Sequence, residues 1–253
     1  QEIYPDIAVS LGVLRHRLLI RALEWMERFI YQRAQAIVVI SERFRQRLLA
    51  KGVPAQKLYV IPNFVDVDFI RPGERLNFFS RQHQLDGSFV VLYAGNIGLT
   101  QDFETIIGAA QALRDLSPLC FLIVGDGARR DWLARQIAGL QLPNVRLLPY
   151  QPRSVVPQVY AASDVCLVPL RRGTAQDTFP SKIYTIMAAG RPAIVSADPD
   201  SELVWVVEQA ECGVVVPPSD PAALAKAVRE AYRSRGSLGE LGRRGREYVI
   251  RHH

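Results

Sequence analysis

Between Asp177 and Pro192 the chain gathers side chains that could hold an anion. Pro180, Ser181 and Lys182 open an apolar run that closes at Gly190. Proline suits the first helical position, where its missing N–H costs nothing, so the pattern predicts a helix opening at Pro180. The unpaired N–H groups of its first turn, the helix dipole and Lys182 would converge on one spot, and phosphate is the usual anion there. Gly190 predicts the C-terminal cap, and Pro192 stops the helix from restarting. The same caps suit a purely structural helix, so a site requires further groups delivered by other elements.

Those elements alternate along the chain. Ala36–Ile40 reads as a short strand, Ser41 as the cap of a helix Glu42–Ala50 ending at Gly52, and Leu58–Ile61 as a second strand. Pro62-Asn63-Phe64-Val65-Asp66 breaks the pattern as a linker, and Arg71–Gly87 reads as polar and irregular. From Phe89 the rhythm is regular. Apolar strands at Phe89–Ala94, Cys120–Val124, Val145–Leu148, Val165–Val168, Ala193–Val195 and Gly213–Val216 are each followed by a helix. This predicts an α/β fold with a parallel sheet covered on both faces. Ligands of such sheets sit at the C-terminal ends of the strands. The turns Gly95-Asn96-Ile97-Gly98, Gly125-Asp126-Gly127 and Pro149-Tyr150 fall there, as do Asp177 and Lys182. Their glycines would let the backbone approach a ligand closely. A dinucleotide is one competing ligand. Asp126 follows the second strand of the regular part, where a ribose-binding acid could sit, but Gly95-x-x-Gly98 lacks the third glycine of G-x-G-x-x-G.

Charge and composition exclude other classes. The 253 residues are 49% hydrophobic with a net charge of +6. Residues 1–65 hold ten Lys and Arg against five Asp and Glu, and residues 233–253 hold six against two, so the middle is acidic. Neither basic end carries the interleaved aromatics or module of a nucleic-acid face, and no nucleic-acid partner is expected. Leu11, Leu14, Leu18, Ala22, Trp25 and Phe29 follow helical spacing, with Arg15, Arg17, Arg21, Arg28 and Arg33 between them. Such a helix could lie on an anionic membrane surface. It could equally cover a sheet with its arginines in water, and Glu24 and Glu27, which dilute the charge, favour that second reading. No apolar run reaches the length of a membrane span. Cys120, Cys166 and Cys212 lie far apart in apolar stretches and read as buried thiols. Paired Cys/His spacing for a metal is absent, and His16, His83, His252 and His253 neighbour no nucleophile. No metal or bound cofactor is expected.

The chain resembles the C-terminal half of a GT-B glycosyltransferase of family 4, the retaining nucleotide-sugar enzymes. Within that family it resembles the bacterial surface-polysaccharide subgroup, the colanic-acid and O-antigen fucosyl- or N-acetylfucosaminyl-transferases. The likeness runs through YQRAQAIVVIS (31–41), VIPNFVD (60–66), LYAGNIG (92–98), IVGDG (123–127), AASDVCLVPL (161–170) and PSKIYTIMAAGRP (180–192). It implies a GT-B fold in three parts. Residues 1–65 would be a partial acceptor-side Rossmann-like domain with its linker. Residues 66–235 would be the nucleotide-sugar domain, and residues 236–253 a helix crossing back to the first domain. The chain starts at Gln1 rather than Met, so an N-terminal portion is expected to be missing and the fragment to be inactive alone.

The resemblance also implies site roles. Gly95, Asn96 and Gly98 would lie under the diphosphate and sugar of a UDP- or GDP-sugar, beside Gly125, Asp126 and Gly127. Pro149 and Tyr150 would lie by the base, and Pro180, Ser181 and Lys182 at the diphosphate. Many members carry two glutamates eight positions apart around this last helix. Here Asp177 and Thr185 stand in those places, so the distal glutamate is absent. Many also carry an arginine and a lysine after the first strand, where Asn96 and Gln101 stand nearest here. The cationic role therefore moves to Lys182, with Arg171, Arg172 or Arg191 as helpers. Asp177 and Glu202 become the candidate sugar-contacting acids, and Lys182 and Asp177 the candidate catalytic pair. The expected acceptor is a polyprenyl-diphosphate-linked saccharide, in the cytoplasm or on the inner face of the plasma membrane. Two alternatives stay open: a sugar-nucleotide 2-epimerase of the same fold, and a nucleotide-sugar-binding module without chemistry.

Overall fold

The computed structural model describes residues 3–174 and 178–253. Two short strands, β1 (Ile37–Val39) and β2 (Leu58–Val60), pair in parallel with Ile37 opposite Leu58. The helix between them, α3 (Glu42–Ala50), is capped as its sequence predicts. Ser41 Oγ accepts from Phe44 N at 3.2 Å, and Gly52 leaves the helix with φ +85°.

The helix expected from Leu11 begins only at Arg17. A short helix, α1 (Asp6–Ser10), and a turn at Gly12 with φ +67° precede α2 (Arg17–Arg33), whose Leu19 N donates to the capping His16 Nδ1 at 3.4 Å. Its apolar face does not cover the sheet. Leu18, Trp25, Met26, Phe29 and Ile30 are exposed, Trp25 at 65%, and the residue of α2 that is buried is Glu27. The reason is a paired-charge cluster on the inner side. Lys51 Nζ lies 2.8 Å from Glu27 and 2.9 Å from Asp6, Arg47 lies 3.0 Å from Asp6, and Tyr31 donates to Glu27 at 2.8 Å. A buried carboxylate is tolerated only when paired in this way, so the ion pairs decide which side of α2 faces inward.

The larger sheet contains β3 (Phe89–Ala94), β4 (Leu119–Val124), β5 (Val145–Leu148), β6 (Val165–Pro169), β7 (Ala193–Ser196) and β8 (Gly213–Val216), all parallel, in the order β5-β4-β3-β6-β7-β8. Alternate residues of each strand feed two cores. Val90, Leu92, Leu122 and Cys166 point to one; Val91, Tyr93, Phe121 and Leu167 point to the other. The first core is closed by α4 (Phe78–Gln82), α7 (Val156–Ala161), α8 (Lys182–Ala188) and α9 (Glu202–Ala210). The second is closed by α5 (Phe103–Ala112), α6 (Arg130–Gly139) and α10 (Pro221–Arg233). All three cysteines are buried and unbridged, and burial pushes the thiols up to about 11 for Cys120 and about 12 for Cys166 and Cys212.

The stretch Arg71–Gly87 is less irregular than its polarity suggests. It contains α4, opened by a reciprocal cap between Asn77 and Ser80, and Asn77 Nδ2 also donates to Gln158 O of α7 at 3.0 Å. Five residues are too few for periodicity to reveal. The last helix, α11 (Leu238–His252), packs on α8, where Gly242 admits the Gly190 carbonyl. Arg246 donates to Ala188 O at 2.7 Å and to Ile70 O and Val67 O at 2.8 Å, tying α11 to α8 and to the segment after the linker. The His253 ring stacks on Tyr184 at 3.9 Å.

Candidate functional site

The chain runs outward from β3 through β4 to β5, then returns to the other side of β3 as β6. Where strand order reverses in this way, the loops leave in opposite directions and a crevice opens at the C-terminal ends. Here the loops after β3 and β6 border that crevice and are stitched below it. Gln101 bridges Leu170, Arg171 N donates to Thr100 O at 3.0 Å, and Asp102 caps α5 by accepting from Thr105 N at 3.1 Å.

The helix that the sequence predicts from Pro180 starts two residues later, at Lys182, with Ser181 in the cap position and no side-chain cap bond. Ile183 N donates to Pro180 O at 3.1 Å and Tyr184 N to Ser181 O at 3.0 Å. These i→i+3 bonds make a tighter turn than an α-helical start. The C-terminal end matches expectation. Gly190 has φ +64°, Gly190 N donates to Met187 O and Arg191 N to Ile186 O, which satisfies the last carbonyls.

Lys182 does not project forward along the helix axis. Its chain crosses the end of β3, and Nζ lies 3.8 Å above the centroid of the Tyr93 ring. Gly95 permits the crossing, because a β-carbon there would stand 2.8 Å from Nζ and 3.3 Å from Cε. Nζ is shielded from solvent and has no hydrogen-bond partner among the described residues. Burial alone pushes the amine down from 10.5 to about 7. A cavity of about 430 Å³ lies against it, lined also by Asn96, Thr100, Gln101, Thr178, Pro180 and Ser181. Tyr93 had no signal in the sequence beyond its place in an apolar strand. Its OH donates to Asn96 O at 2.5 Å, which holds the turn over the lysine.

The glycine turns follow β3 and β4 at their C-terminal ends, and their amides donate within the protein. Gly95 N donates to Val124 O at 2.9 Å, Gly125 N to Leu148 O at 3.0 Å, Gly127 N to Asp126 Oδ1 at 2.7 Å and Gly98 N to Gln101 Oε1 at 3.0 Å. Gly125 and Gly127 have φ +156° and +149°, and a β-carbon on either would overlap backbone of the first turn: Gly95 O for Gly125, Ile97 O for Gly127. The two turns approach each other so closely that no side chain fits between them.

The other expected residues divide. Pro149 and Tyr150 follow β5, with Tyr150 more than half exposed. Asp177 lies outside the described residues. Glu202 opens α9 and lines a separate cavity of about 620 Å³ with Arg43, Phe44 and Arg47 of α3. Its Oε2 is shielded from solvent without a hydrogen bond, with Arg43 Nε at 3.9 Å. The three helper arginines are engaged elsewhere. Arg191 donates to Ala161 O at 2.7 Å and Gly73 O at 3.1 Å, Arg172 to Pro218 O at 3.0 Å, and Arg171 to Glu104 at 2.7 Å. Burial would raise Glu104, but Arg129 and Arg171 outweigh it and hold that carboxyl at about 2. Among the described residues no group of three His, Cys, Asp or Glu side chains could hold a metal, and no helix is long and apolar enough to cross a membrane.

Solved structures share this arrangement. A HepE chain of Anabaena in complex with UDP and glucose aligns with 86% of the chain and 59% of its own length, at a TM-score of 0.73 and 19% identity. Sucrose-phosphate synthase of Thermosynechococcus elongatus aligns with 98% and 62%, at 0.73 and 24% identity. These neighbours are GT-B glycosyltransferases, and the fold is theirs. Among curated relatives, WcaI of Escherichia coli, named for glycosyl transfer in colanic acid biosynthesis, is 31% identical over 77% of the chain. WbjE of Pseudomonas aeruginosa, named as a glycosyltransferase, is 29% identical over 90%. The chain spans about half the length of these relatives, 49% of the first and 58% of the second. A family profile described as Glycosyltransferase Family 4 matches residues 10–69, and one described as Glycosyl transferases group 1 matches residues 88–234. Since the second match takes in all six strands of the larger sheet, the chain belongs to the group 1 glycosyl transferases.

Proposed function

We propose that the chain is the donor-holding part of a retaining glycosyltransferase, which moves a sugar from UDP- or GDP-sugar to a polyprenyl-diphosphate-linked saccharide in bacterial surface-polysaccharide synthesis. The observation that carries the reading is Lys182 Nζ, buried and unpartnered beside a cavity at the point where strand order reverses. A diphosphate in that cavity would supply the missing counter-charge. As the bond from sugar to diphosphate breaks, negative charge builds on the leaving oxygens. A cation fixed before the reaction stabilises that charge without reorganising. Asn96 and Ser181 would bond phosphate or sugar oxygens, Tyr150 would lie by the base, and Lys182 would fill the electrostatic role without a metal. Asp177 and Glu202 remain the proposed acids for sugar hydroxyls. Glu202 would act from the cavity it shares with α3.

Support comes from the UDP and glucose in the HepE complex, from the colanic acid name of the WcaI relative, and from a Streptomyces coelicolor relative named as an exopolysaccharide phosphotransferase. Those names are of glycosyl and phosphoryl transferases rather than epimerases. The exposed apolar face of α2, flanked by Arg21, Arg28 and Arg33, suits a peripheral contact with anionic lipid. Flotation of the full-length protein with vesicles tests that contact, and unchanged flotation after neutralising Arg15, Arg17 and Arg21 would remove its electrostatic part. The central test is calorimetric titration of this chain with UDP, GDP and NAD, repeated on Lys182→Ala. UDP or GDP binding that weakens roughly ten-fold or more in the variant, about one charged hydrogen bond, supports the donor site. Binding of NAD alone sinks it. Transfer to a lipid-linked acceptor by the 253-residue chain would refute the expectation that this part is inactive alone.

A further inference from the structure

We infer that Lys182 is held uncharged in the free chain and takes a proton from solvent when the diphosphate of a nucleotide sugar binds beside it, so that donor binding is coupled to proton uptake. The inference rests on the proposed donor site and adds how that site is regulated.

The geometry around the amine carries it. Nζ sits over the face of Tyr93, under the turn at Gly95, with no hydrogen-bond acceptor within reach among the described residues. An ammonium there would lose its water and gain only a ring face in return. Among the described residues no carboxylate is within hydrogen-bond reach of Nζ; Asp126, in the turn after β4 that packs on the turn after β3, accepts from Gly127 N at 2.7 Å instead. From β3 comes Tyr93, whose OH is spent on Asn96 O, and burial keeps that phenol protonated. The turn after β3 brings Asn96 and Gln101, and the segment before α8 brings Thr178 and Ser181, all neutral. Tyr4 reaches the same cavity from the N-terminal segment. Strands β6 and β7 carry no ionisable group but Cys166, whose thiol burial pushes up to about 12. On α8 itself Tyr184 lies under His253 of α11, and Tyr248 lies beside His253. Arg246 of α11 is bound at the far end of α8, to Ala188 O. Glu202 of α9 faces Arg43 in the other cavity. The amine is therefore governed by burial, which favours its neutral form and holds it at about 7.

A diphosphate reverses that preference. The neutral amine takes H⁺ from buffer, becomes an ammonium, and donates to a phosphate oxygen; no other bond forms or breaks. The sign follows from linkage: the complex binds more protons than the free chain at any pH above the free amine's value, so affinity falls as pH rises there. Below that value the amine is already charged, and affinity is flat. Such a site binds donor most tightly in acid to neutral conditions and releases it as pH rises.

The experiment is calorimetry with UDP-glucose and with GDP-mannose in pairs of buffers that differ in ionisation enthalpy. Nucleotide sugars suit it because neither of their phosphates titrates near neutrality, unlike the terminal phosphate of UDP. The expected uptake is about 0.9 proton per nucleotide at about pH 8 and about 0.1 at about pH 6, with affinity falling about ten-fold per pH unit above about 7. Lys182→Arg, which stays charged, should abolish the uptake and flatten the pH profile. Lys182→Met should abolish the uptake and weaken binding. Tight binding with no uptake, or uptake that persists in both variants, overturns the inference and leaves the donor site standing. Absence of binding by either sugar nucleotide across that range overturns the donor site and the inference together.

Discussion

The turns after β3 and β4 and the start of α8 border the same crevice, yet they treat their polar groups in opposite ways. In the turns, the amides of Gly95, Gly98, Gly125 and Gly127 are all spent within the protein, on Val124 O, Gln101, Leu148 O and Asp126. At the start of α8, the amine of Lys182 is buried and, among the described residues, meets only an aromatic face. The first region is a finished scaffold, whose stability does not depend on a ligand. The second carries an unmet cost that an anion would remove. Glycine-rich turns alone therefore do not reveal an unsatisfied charge; that takes a side chain the fold has buried without a partner.

The largest effect is expected at Gly125. A β-carbon there overlaps the Gly95 carbonyl at a backbone angle of φ +156° that side chains rarely adopt. Gly125→Ala should destabilise the chain by about 3–5 kcal/mol, read as a fall in the urea midpoint. A loss within experimental error would mean that the two turns are not packed as described. Lys182→Met should act in the opposite sense. It removes an unpartnered amine, so stability at pH 7 should rise, on the order of 3 kcal/mol, while nucleotide binding weakens. The pH dependence has a definite sign. Burial lowers the amine from 10.5 to about 7, so its native stability is full above about 10.5 and is lost as pH falls towards 7. Denaturation curves of wild type and Lys182→Met should therefore converge at high pH and separate as pH falls. Parallel curves would mean that the amine is solvated or paired.

Smaller changes sharpen the scaffold side. Gln101 accepts from Gly98 N at 3.0 Å and donates to Thr100 Oγ1 at 2.8 Å. Gln101→Ala frees that amide, with an expected loss of about 1 kcal/mol in thermal unfolding. If Gly98 N instead gains a phosphate bond, donor affinity should rise in the same variant, and titration separates the two effects. The smallest effect is expected at Glu104. Burial opposes its charge, but Arg129 at 2.6 Å and Arg171 at 2.7 Å hold the carboxyl at about 2, and its side chain is nearly half exposed. Its contribution is present above pH 4.5 and lost as pH falls towards 2. Solvent screening limits it to less than about 1 kcal/mol. Glu104→Gln should therefore lower stability slightly near pH 7 and leave it unchanged near pH 2, and no change near pH 7 would mean that the pair is worth nothing.

Much of the fold was legible from residue pattern. Each of the six apolar runs from Phe89 to Val216 became a strand, because a strand buried on both faces has to be apolar throughout. Ser41 caps the helix that follows it, since its side chain bonds an amide three residues on. The start of α8, the direction of α2 and the short α4 were not legible. A proline marks a helix start only to within a turn. A helix with apolar residues on one side does not reveal whether that side faces in, and at α2 it was the ion pairs of Glu27 that chose.

Sequence alone determined the alternation of strands and helices, the family, the lysine at the head of α8 and the glycines of the turns. These depend on neighbours within a few residues, or on the period of burial, and are written locally. Only the tertiary structure decided the strand order, and with it that β3 and β6 are adjacent and their loops enclose one crevice. It decided that Lys182 rests on Tyr93, 89 positions earlier, and that Arg171, Arg172 and Arg191 are taken up by Glu104 and by carbonyls of distant segments. Whether a charged side chain is free or paired depends on what the chain brings beside it from far away, and no local pattern of residues carries that information.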